Sequence, residues 1–93
     1  MSCYVYILKS EIDGSLYTGQ TEDIPKRLSL HNKGRVKSTK LKAPYKLAYY
    51  ERFESRSEAM WREWELKKRW NKERKEKLLR AFPASSIKEI LAP

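Results

Sequence analysis

Hydrophobic and polar residues alternate near the start of the chain in the manner of two β-strands. Residues 3–8 are aromatic, β-branched or aliphatic, which favours a half-buried strand with Tyr4 and Tyr6 on one face. An Asp-Gly pair then predicts a turn, and residues 16–21 predict the returning strand. Gly19, near the end of that strand, indicates a close backbone approach or an unusual dihedral angle.

The next segment predicts a helix followed by a basic loop. Pro25 fits only in the first turn of a helix, and Asp23 or Thr21 is the expected N-cap. The helix is predicted to end at about Asn32, because a Lys-Gly pair follows. Residues 35–44 are basic and lack apolar periodicity, so they predict a loop.

The pattern returns to a strand over residues 45–53, where side chains alternate between two faces. We expect one face to carry Tyr45, Leu47 and Tyr49, and the other to carry Ala48 and Tyr50. This strand completes a three-stranded sheet with the N-terminal hairpin.

The rest of the chain predicts helices. From Ser55 or Ser57 the apolar spacing becomes helical as far as about Trp70, and another helix is predicted over residues 72–81, ended by Pro83. A Ser-Ile-Lys-Glu capping-box pattern predicts a short last helix over residues 86–91. The order of elements predicts a small α+β domain, with a three-stranded antiparallel sheet flanked by helices.

Length and composition narrow the class of protein. A chain of 93 residues leaves room for one domain, which we assign to residues 1–93. A mean hydropathy of −0.84 excludes an integral membrane protein, and because no targeting segment is visible we expect a cytoplasmic location. One cysteine, Cys3, and one histidine, His31, exclude an internal disulfide framework and a Cys/His zinc site.

The charge of the chain points to a polyanionic partner. Twenty-one Lys and Arg residues against twelve Asp and Glu residues give a net charge of +9. This excess favours nucleic acid over a merely soluble basic protein. An acidic membrane surface is less favoured, because the sequence shows no lipidation signal and no basic amphipathic terminus.

Glu63 is the acidic residue whose position in its helix needs explanation. On a helical wheel it falls inside an apolar arc made of Ala59, Met60, Trp64, Leu66 and Trp70. The opposite face carries Arg62, Glu65, Lys68 and Arg69. A buried carboxylate is costly unless it is paired, protonated or bound to a metal. Glu63 is therefore either an ion-pair partner of Lys67, one turn on, or a cation ligand or catalytic carboxylate facing a cleft.

A second group of candidate residues lies on the first helix and the hairpin. Arg27 and His31 are four residues apart and therefore adjacent on one helix face. A short hairpin brings the rings of Tyr6 and Tyr17 near each other. Taken alone, each pair is compatible with a solvated arginine and with ordinary core packing.

The order of these residues along the chain resembles the motif of the GIY-YIG nuclease superfamily. Tyr4-Val5-Tyr6 stands where the first triplet of that family belongs, and Tyr17-Thr18-Gly19 stands where the second belongs. Arg27 and His31 match the family's first helix, and Glu63 matches the glutamate that binds its metal. The glutamate that the helical wheel selects is thus the one that the resemblance selects.

The resemblance covers about residues 3–79 and is closest to small, stand-alone, single-domain members. The first triplet departs from the family pattern in beginning with Tyr4 instead of glycine, and the second has Thr18 at its centre. Many members use an asparagine downstream of the glutamate. Asn71 is the candidate for that role, at a spacing that is short.

The resemblance implies metal-dependent hydrolysis of phosphodiester bonds in DNA, with RNA not excluded. One divalent ion, Mg²⁺ or Mn²⁺, would bind Glu63, and Arg27 would hold the scissile phosphate. Tyr6 would be the base that deprotonates water, with His31 accepting its proton, and Tyr17 would position the water or share the base role. Gly19 would let the backbone approach the phosphate or the first helix closely.

Basic residues outside the site are expected to follow the nucleic-acid backbone. The first group, on the loop, consists of Lys33, Arg35, Lys37, Lys40 and Lys42. The second group consists of Lys67, Lys68, Arg69, Lys72, Arg74, Lys75 and Lys77. Phosphate contacts carry no sequence information. We therefore expect structure-selective or non-specific cleavage, with DNA repair or recombination as a possible context.

Two other interpretations compete with an active nuclease. A non-catalytic nucleic-acid-binding module would keep the fold and the charge but would bind weakly whether or not Mg²⁺ is present. A subunit that cuts only with a protein partner, or as a homodimer, would expose aromatic residues among Trp61, Trp64 and Trp70 as an interface.

Overall fold

The computed structural model describes residues 2–93 and has a three-stranded antiparallel sheet at its centre. Its strands are β1 (Cys3–Ser10), β2 (Leu16–Thr21) and β3 (Tyr45–Phe53), in the order β2-β1-β3. The fold is α+β, as the sequence pattern predicts. The central strand β1 is buried over most of its length because it pairs on both edges and is covered on both faces.

Four α-helices follow or interrupt the sheet: α1 (Ile24–Asn32), α2 (Arg56–Arg69), α3 (Lys72–Ala81) and α4 (Ala84–Leu91). The basic loop before β3 contains one short 3₁₀ turn, Lys40–Lys42. The first three α-helices begin with side-chain caps on Asp23, Ser55 and Asn71, each of which accepts a backbone N–H three residues on. The side chain of Asn71 therefore serves as a helix cap.

The two faces of the sheet carry two apolar clusters. On one face, Val5 and Ile7 pack against Ala59 and Leu66 of α2. On the other face the cluster is formed by Tyr6, Leu8, Ile24, Tyr45 and Leu47, which α1 and α4 cover. Tyr6 therefore points toward α1, which carries Arg27 and His31.

The predicted faces of β3 are wrong at Tyr49 and Tyr50. Tyr49 packs with Val5 and Ile7, on the face opposite to Tyr45 and Leu47, whereas Tyr50 packs beside those two residues. The cause is a β-bulge: Ile7 pairs with Tyr49 and Leu8 pairs with Leu47, which leaves Ala48 as an extra residue. One extra residue shifts the alternation of a strand by one and exchanges its faces.

The predicted arc of α2 is too wide. Met60 and Trp64 are exposed, and the buried stripe of α2 consists of Ala59 and Leu66. Arg62, expected on the solvent face, is half-buried, because its guanidinium donates to Glu51 (2.9 Å) and to Glu65 (2.6 Å). A long charged side chain with two carboxylate partners can lie at the edge of a core.

The predicted capping box of the last helix is also wrong. α4 begins two residues before Ser86, with Pro83 as its N-cap and no side-chain cap. Pro83 has the extended backbone of a residue that precedes a helix, so the helix starts before the chain reaches Ser86. Ser86 lies inside the helix, and its carbonyl accepts the hydroxyl of Tyr50 (3.3 Å).

Within residues 2–93, none of the helices is both long enough and apolar enough to cross a membrane.

Candidate active site

The hairpin brings the two tyrosines of the triplets around Gly19. The β1–β2 register places Tyr6 directly opposite Gly19, and the ring centroids of Tyr6 and Tyr17 are 6.4 Å apart. A Cβ atom at position 19 would lie 2.6 Å from Tyr6 Oη and 3.0 Å from Tyr17 Cε2. The close approach expected at Gly19 is therefore confirmed, and what approaches this glycine is the pair of tyrosine rings.

The contact at Gly19 gives a prediction about stability. Gly19→Ala is expected to lower the free energy of unfolding by about 1–3 kcal/mol, because Tyr6 is buried and has little room to move away. Thermal unfolding followed by circular dichroism measures this loss. The same substitution is expected to cost less in a Tyr6→Phe background, which lacks the oxygen nearest to the new methyl group. Equal losses in both backgrounds would contradict the steric explanation.

His31 lies at the end of α1, fully buried, and contacts Tyr6 directly. Its Nε2 is 2.9 Å from Tyr6 Oη, and its Nδ1 is 2.7 Å from Thr39 Oγ1. The Thr39 hydroxyl donates to the carbonyl of Val36 (3.4 Å), so its oxygen is left to accept a proton from Nδ1. We therefore assign the Nδ1–H tautomer, in which Nε2 accepts the hydroxyl proton of Tyr6.

Burial shifts the acidity of both members of this pair. Burial raises the pKa of Tyr6 to about 12, against a smaller lowering by the guanidinium of Arg27. Burial, together with a smaller effect of the Arg27 charge, lowers the pKa of His31 to about 4. At neutral pH the tyrosine therefore keeps its proton, and the imidazole is neutral and able to accept one.

The depressed pKa of His31 predicts how the protein responds to acid. His31 is the single histidine of the chain, so its ¹⁵N imidazole resonances are unambiguous. A pH titration by NMR is expected to show protonation near pH 4, well below the ordinary value of 6.5. Because the unfolded chain binds this proton more readily, stability is greatest above pH 6.5 and falls as the pH drops toward 4. Titration near 6.5 would contradict the burial of this ring.

Arg27 lies one turn before His31 and has an unsatisfied donor. Its Nε atom is buried without a hydrogen-bond partner within residues 2–93. The residue also borders an open groove of about 470 Å³, which Gln20, Lys26 and Arg56 line as well. A buried N–H without a partner is costly, so this donor is left without the acceptor that it needs among the described residues.

Glu63, on α2, is near enough to Tyr6 for its charge to act on the tyrosine hydroxyl. Its charge raises the pKa of Tyr6, and its side chain is 18% exposed. The ion pair with Lys67 is present, with Lys67 Nζ 2.6 Å from Glu63 Oε2. Lys67 Nζ also lies 5.8 Å from the ring centroid of Tyr17. The sequence left two alternatives for Glu63, an ion pair with Lys67 or a functional carboxylate. The structure contains the ion pair, next to the ring of Tyr17.

The donor set at Glu63 fits Mg²⁺ rather than a metal that needs several protein ligands. Within residues 2–93, no three His, Cys, Asp or Glu side chains gather into a ready-made metal site. Mg²⁺ is commonly held by one or two carboxylates and completes its shell with water and substrate phosphate oxygens. The Lys67 ammonium beside Glu63 indicates that this carboxylate attracts a cation. Mg²⁺ would compete with that ammonium for the carboxylate.

The two groups of basic residues have different surroundings. The loop group is exposed throughout, and Lys42 pairs with Asp13 (3.3 Å). In the second group, Lys67 lies at the candidate site, whereas Arg74 lies 3.7 Å from the ring centroid of Trp70 and packs against it.

Thr39, which contacts His31, was not predicted from the sequence. A threonine in an irregular basic loop carries no signal that it will contact a histidine.

Comparison with known proteins agrees with the geometry. A family model described as the GIY-YIG catalytic domain matches residues 2–77. A UPF0213 protein of Staphylococcus saprophyticus is 47% identical over 77 residues, which cover 82% of this chain and 92% of the relative. A UPF0213 protein of Staphylococcus aureus (strain Mu50) is 48% identical over 67 residues, covering 71% of this chain and 80% of the relative.

A solved structure is similar over the whole chain. The solution NMR structure of the UPF0213 protein from Bacillus halodurans has a TM-score of 0.58 and 35% identity, and the match covers 99% of this chain and 98% of that one. The family match includes both triplets, the helix with Arg27 and His31, and Glu63. This chain therefore belongs to the GIY-YIG catalytic domain family.

Proposed function

We propose that this chain is a metal-dependent endonuclease that hydrolyses phosphodiester bonds, with DNA as its first candidate substrate. The observation that carries the proposal is the environment of one hydroxyl. Tyr6 Oη is 2.9 Å from Nε2 of His31, and the charges of Arg27 and Glu63 both act on its pKa. A proton acceptor, a cation and a carboxylate around one buried hydroxyl suit phosphodiester hydrolysis better than they suit ordinary core packing.

Phosphate binding falls to Arg27. Its guanidinium has the planar set of donors that matches phosphate oxygens, and the residue borders the open groove. When Mg²⁺ or Mn²⁺ is bound at Glu63, it supplies positive charge for the non-bridging oxygen and for the leaving 3′-oxygen.

The proton steps use Tyr6 and His31. As water attacks phosphorus, its proton passes to Tyr6 Oη while the hydroxyl proton of Tyr6 passes to Nε2 of His31. Tyr6 stays neutral throughout, so the exchange avoids a free tyrosinate, which a pKa of about 12 makes costly. The resulting imidazolium donates to Tyr6 through Nε2 and to Thr39 through Nδ1. Tyr17, whose ring centroid is 5.0 Å from that of His31, would position the attacking water.

The basic loop would guide the nucleic-acid backbone toward this site. It joins α1 to β3 and also carries Thr39, so the segment that holds His31 presents Lys33, Arg35, Lys37 and Lys40 to solvent, together with Lys42. Gly19, opposite Tyr6, would serve this site by leaving room for the rings of Tyr6 and Tyr17. These cations contribute affinity that falls with salt and carries no sequence preference.

A cleavage assay on the wild-type protein tests the proposal. Supercoiled plasmid and end-labelled single-stranded, flapped, branched and duplex DNA would each be incubated with Mg²⁺, Mn²⁺ or EDTA, with an RNA strand included. We expect at least one substrate to be cut in Mg²⁺ or Mn²⁺ and none in EDTA. Binding without cleavage of any of these substrates would refute nuclease activity of the isolated chain and favour a binding module.

One observation favours the partner-dependent alternative. Trp61 and Trp64 are exposed on α2, as an interface would require, whereas Trp70 is half-buried between Arg62 and Arg74. On that alternative, cleavage appears only with a partner or with a second copy of the chain. Exposed tryptophans such as Trp61 and Trp64 also suit contact with the nucleic acid itself.

A further inference from the structure

Helix α2 presents a stacked pair of tryptophans to solvent. The rings of Trp61 and Trp64 are nearly parallel, with an interplanar angle of 21° and centroids 5.1 Å apart. Trp61 is 59% exposed, Trp64 is 41% exposed, and the neighbouring Met60 is 53% exposed. We call Met60, Trp61 and Trp64 the tryptophan platform. The sheet-facing stripe of α2 is filled by other residues, so this platform contributes little to the core.

One end of the platform lies next to Lys67. Residues three and four apart lie side by side on a helix, so Trp64 lies beside Lys67, whereas Trp61, two residues before Glu63, points away from it. Lys67 in turn lies over the ring of Tyr17. Trp64 is therefore the tryptophan of the platform that is nearer to the candidate site.

The charges around the platform suit a polyanion. Lys67, Lys68 and Arg69 form the last turn of α2, and the Arg69 guanidinium lies 5.5 Å from the ring centroid of Trp64. The two neighbouring carboxylates have partners of their own: Glu58 accepts from Ser55 (2.9 Å) and Glu65 accepts from Arg62 (2.6 Å). The centre of a protein–protein interface is usually depleted of charge. Exposed aromatic side chains beside a group of cations are typical of single-strand binding.

We propose that the tryptophan platform stacks on an unpaired base of the substrate. The inference rests on the proposed function for the identity of the ligand as nucleic acid. Bases inside an intact duplex stack on each other and offer no free face to Trp61 or Trp64. The platform therefore selects single-stranded segments, such as flaps, loops or frayed ends, over continuous duplex.

Binding measured without metal separates this proposal from cleavage. The probes are a fluorescein-labelled 12-nucleotide single strand of DNA and a hairpin duplex with the same number of nucleotides, titrated in EDTA and followed by anisotropy. Trp61→Ala and Trp64→Ala are each expected to weaken single-strand binding about 5- to 100-fold and to leave duplex binding within about twofold. Trp64→Phe, which keeps an aromatic ring, is expected to recover part of the loss.

The control variant is Ile12→Ala, which removes another exposed apolar side chain, far from α2 in the β1–β2 turn. It is expected to bind both probes as the wild type does. Circular dichroism is used to check that each variant folds. Because Trp61 and Trp64 are exposed, we expect both alanine variants to fold. Sedimentation equilibrium of wild type and Trp61→Ala is run alongside.

Each outcome decides between the proposals. Equal binding of the single strand by wild type and both alanine variants, or equal losses on both probes, would overturn the platform even if the protein cuts DNA. A wild-type dimer that Trp61→Ala dissociates would instead assign this surface to a second copy of the chain. Selective loss of single-strand binding supports the platform even if no cleavage is found, in which case the nuclease proposal alone fails.

Discussion

Glu63→Gln is expected to abolish metal-dependent cleavage. The substitution keeps the size of the side chain but removes the negative charge that attracts a divalent ion. Metal ions contribute several kcal/mol to the stabilisation of such transition states, so we expect the rate to fall by about 10³-fold or more. The measurement is the initial rate of plasmid nicking across a titration of Mg²⁺.

The matched control is Glu58→Gln on the same helix. Glu58 is exposed near the start of α2 and accepts from the Ser55 hydroxyl, a hydrogen bond that a glutamine oxygen can also accept, so the variant removes one negative charge without touching the site. We expect wild-type nicking from this variant. If Glu63→Gln nicks at the wild-type rate at every Mg²⁺ concentration, Glu63 is an ion-pair partner of Lys67 and nothing more.

Tyr6→Phe is expected to lower the cleavage rate by about 10²- to 10⁴-fold, the range found when a general acid–base group is removed. The phenylalanine ring fills the same space but can neither accept a proton from water nor pass one to Nε2 of His31. The loss of a buried hydrogen bond also destabilises the fold by about 1–3 kcal/mol. Single-turnover cleavage at saturating Mg²⁺ isolates the chemical step from binding.

The comparison that identifies the base is Tyr17→Phe. Tyr17 packs beside His31, but it is the Tyr6 hydroxyl that lies within hydrogen-bond distance of Nε2. We expect a smaller loss from Tyr17→Phe than from Tyr6→Phe. The reverse order would assign the base to Tyr17 and leave Tyr6 a structural role.

Much of the fold follows from local signals in the sequence. Pro25 with Asp23 marks the start of α1, and Asn71 marks the start of α3, because caps and proline act within a few residues. The antiparallel sheet follows from the hairpin and from the β-branched and aromatic character of its strands. These features depend on neighbouring residues, so they can be predicted without knowing the tertiary packing.

The errors lie where tertiary contacts override local pattern. The bulge at Ala48 arises from pairing with β1, and strict alternation within β3 cannot reveal it. Arg62 lies inward because it pairs with Glu51, a residue of another element. Hydrophobicity alone predicts a core position for Trp64, which is in fact exposed. The helical wheel still selected Glu63, because a carboxylate next to a buried stripe is unusual wherever the edge of that stripe lies.

The assembly of the site depended on distant residues and was only partly predictable. The hairpin register brings Tyr6 to Gly19, and helical spacing brings Arg27 to His31, both of which follow from local geometry. The contact of His31 with Thr39 depends on the path of an irregular loop. The outward stacking of Trp61 on Trp64 likewise depends on how α2 rolls against the sheet.

The most direct test of the central claim is single-turnover DNA cleavage by wild type, Tyr6→Phe and Glu63→Gln, prepared in parallel and assayed in Mg²⁺. Binding in EDTA is measured on the same preparations, so that affinity and chemistry are separated. The account predicts that all three bind DNA similarly and that only the wild type cuts at an appreciable rate. Equal cutting by all three, or metal-independent cutting, would show that the cluster of Tyr6, His31, Arg27 and Glu63 is not the active site.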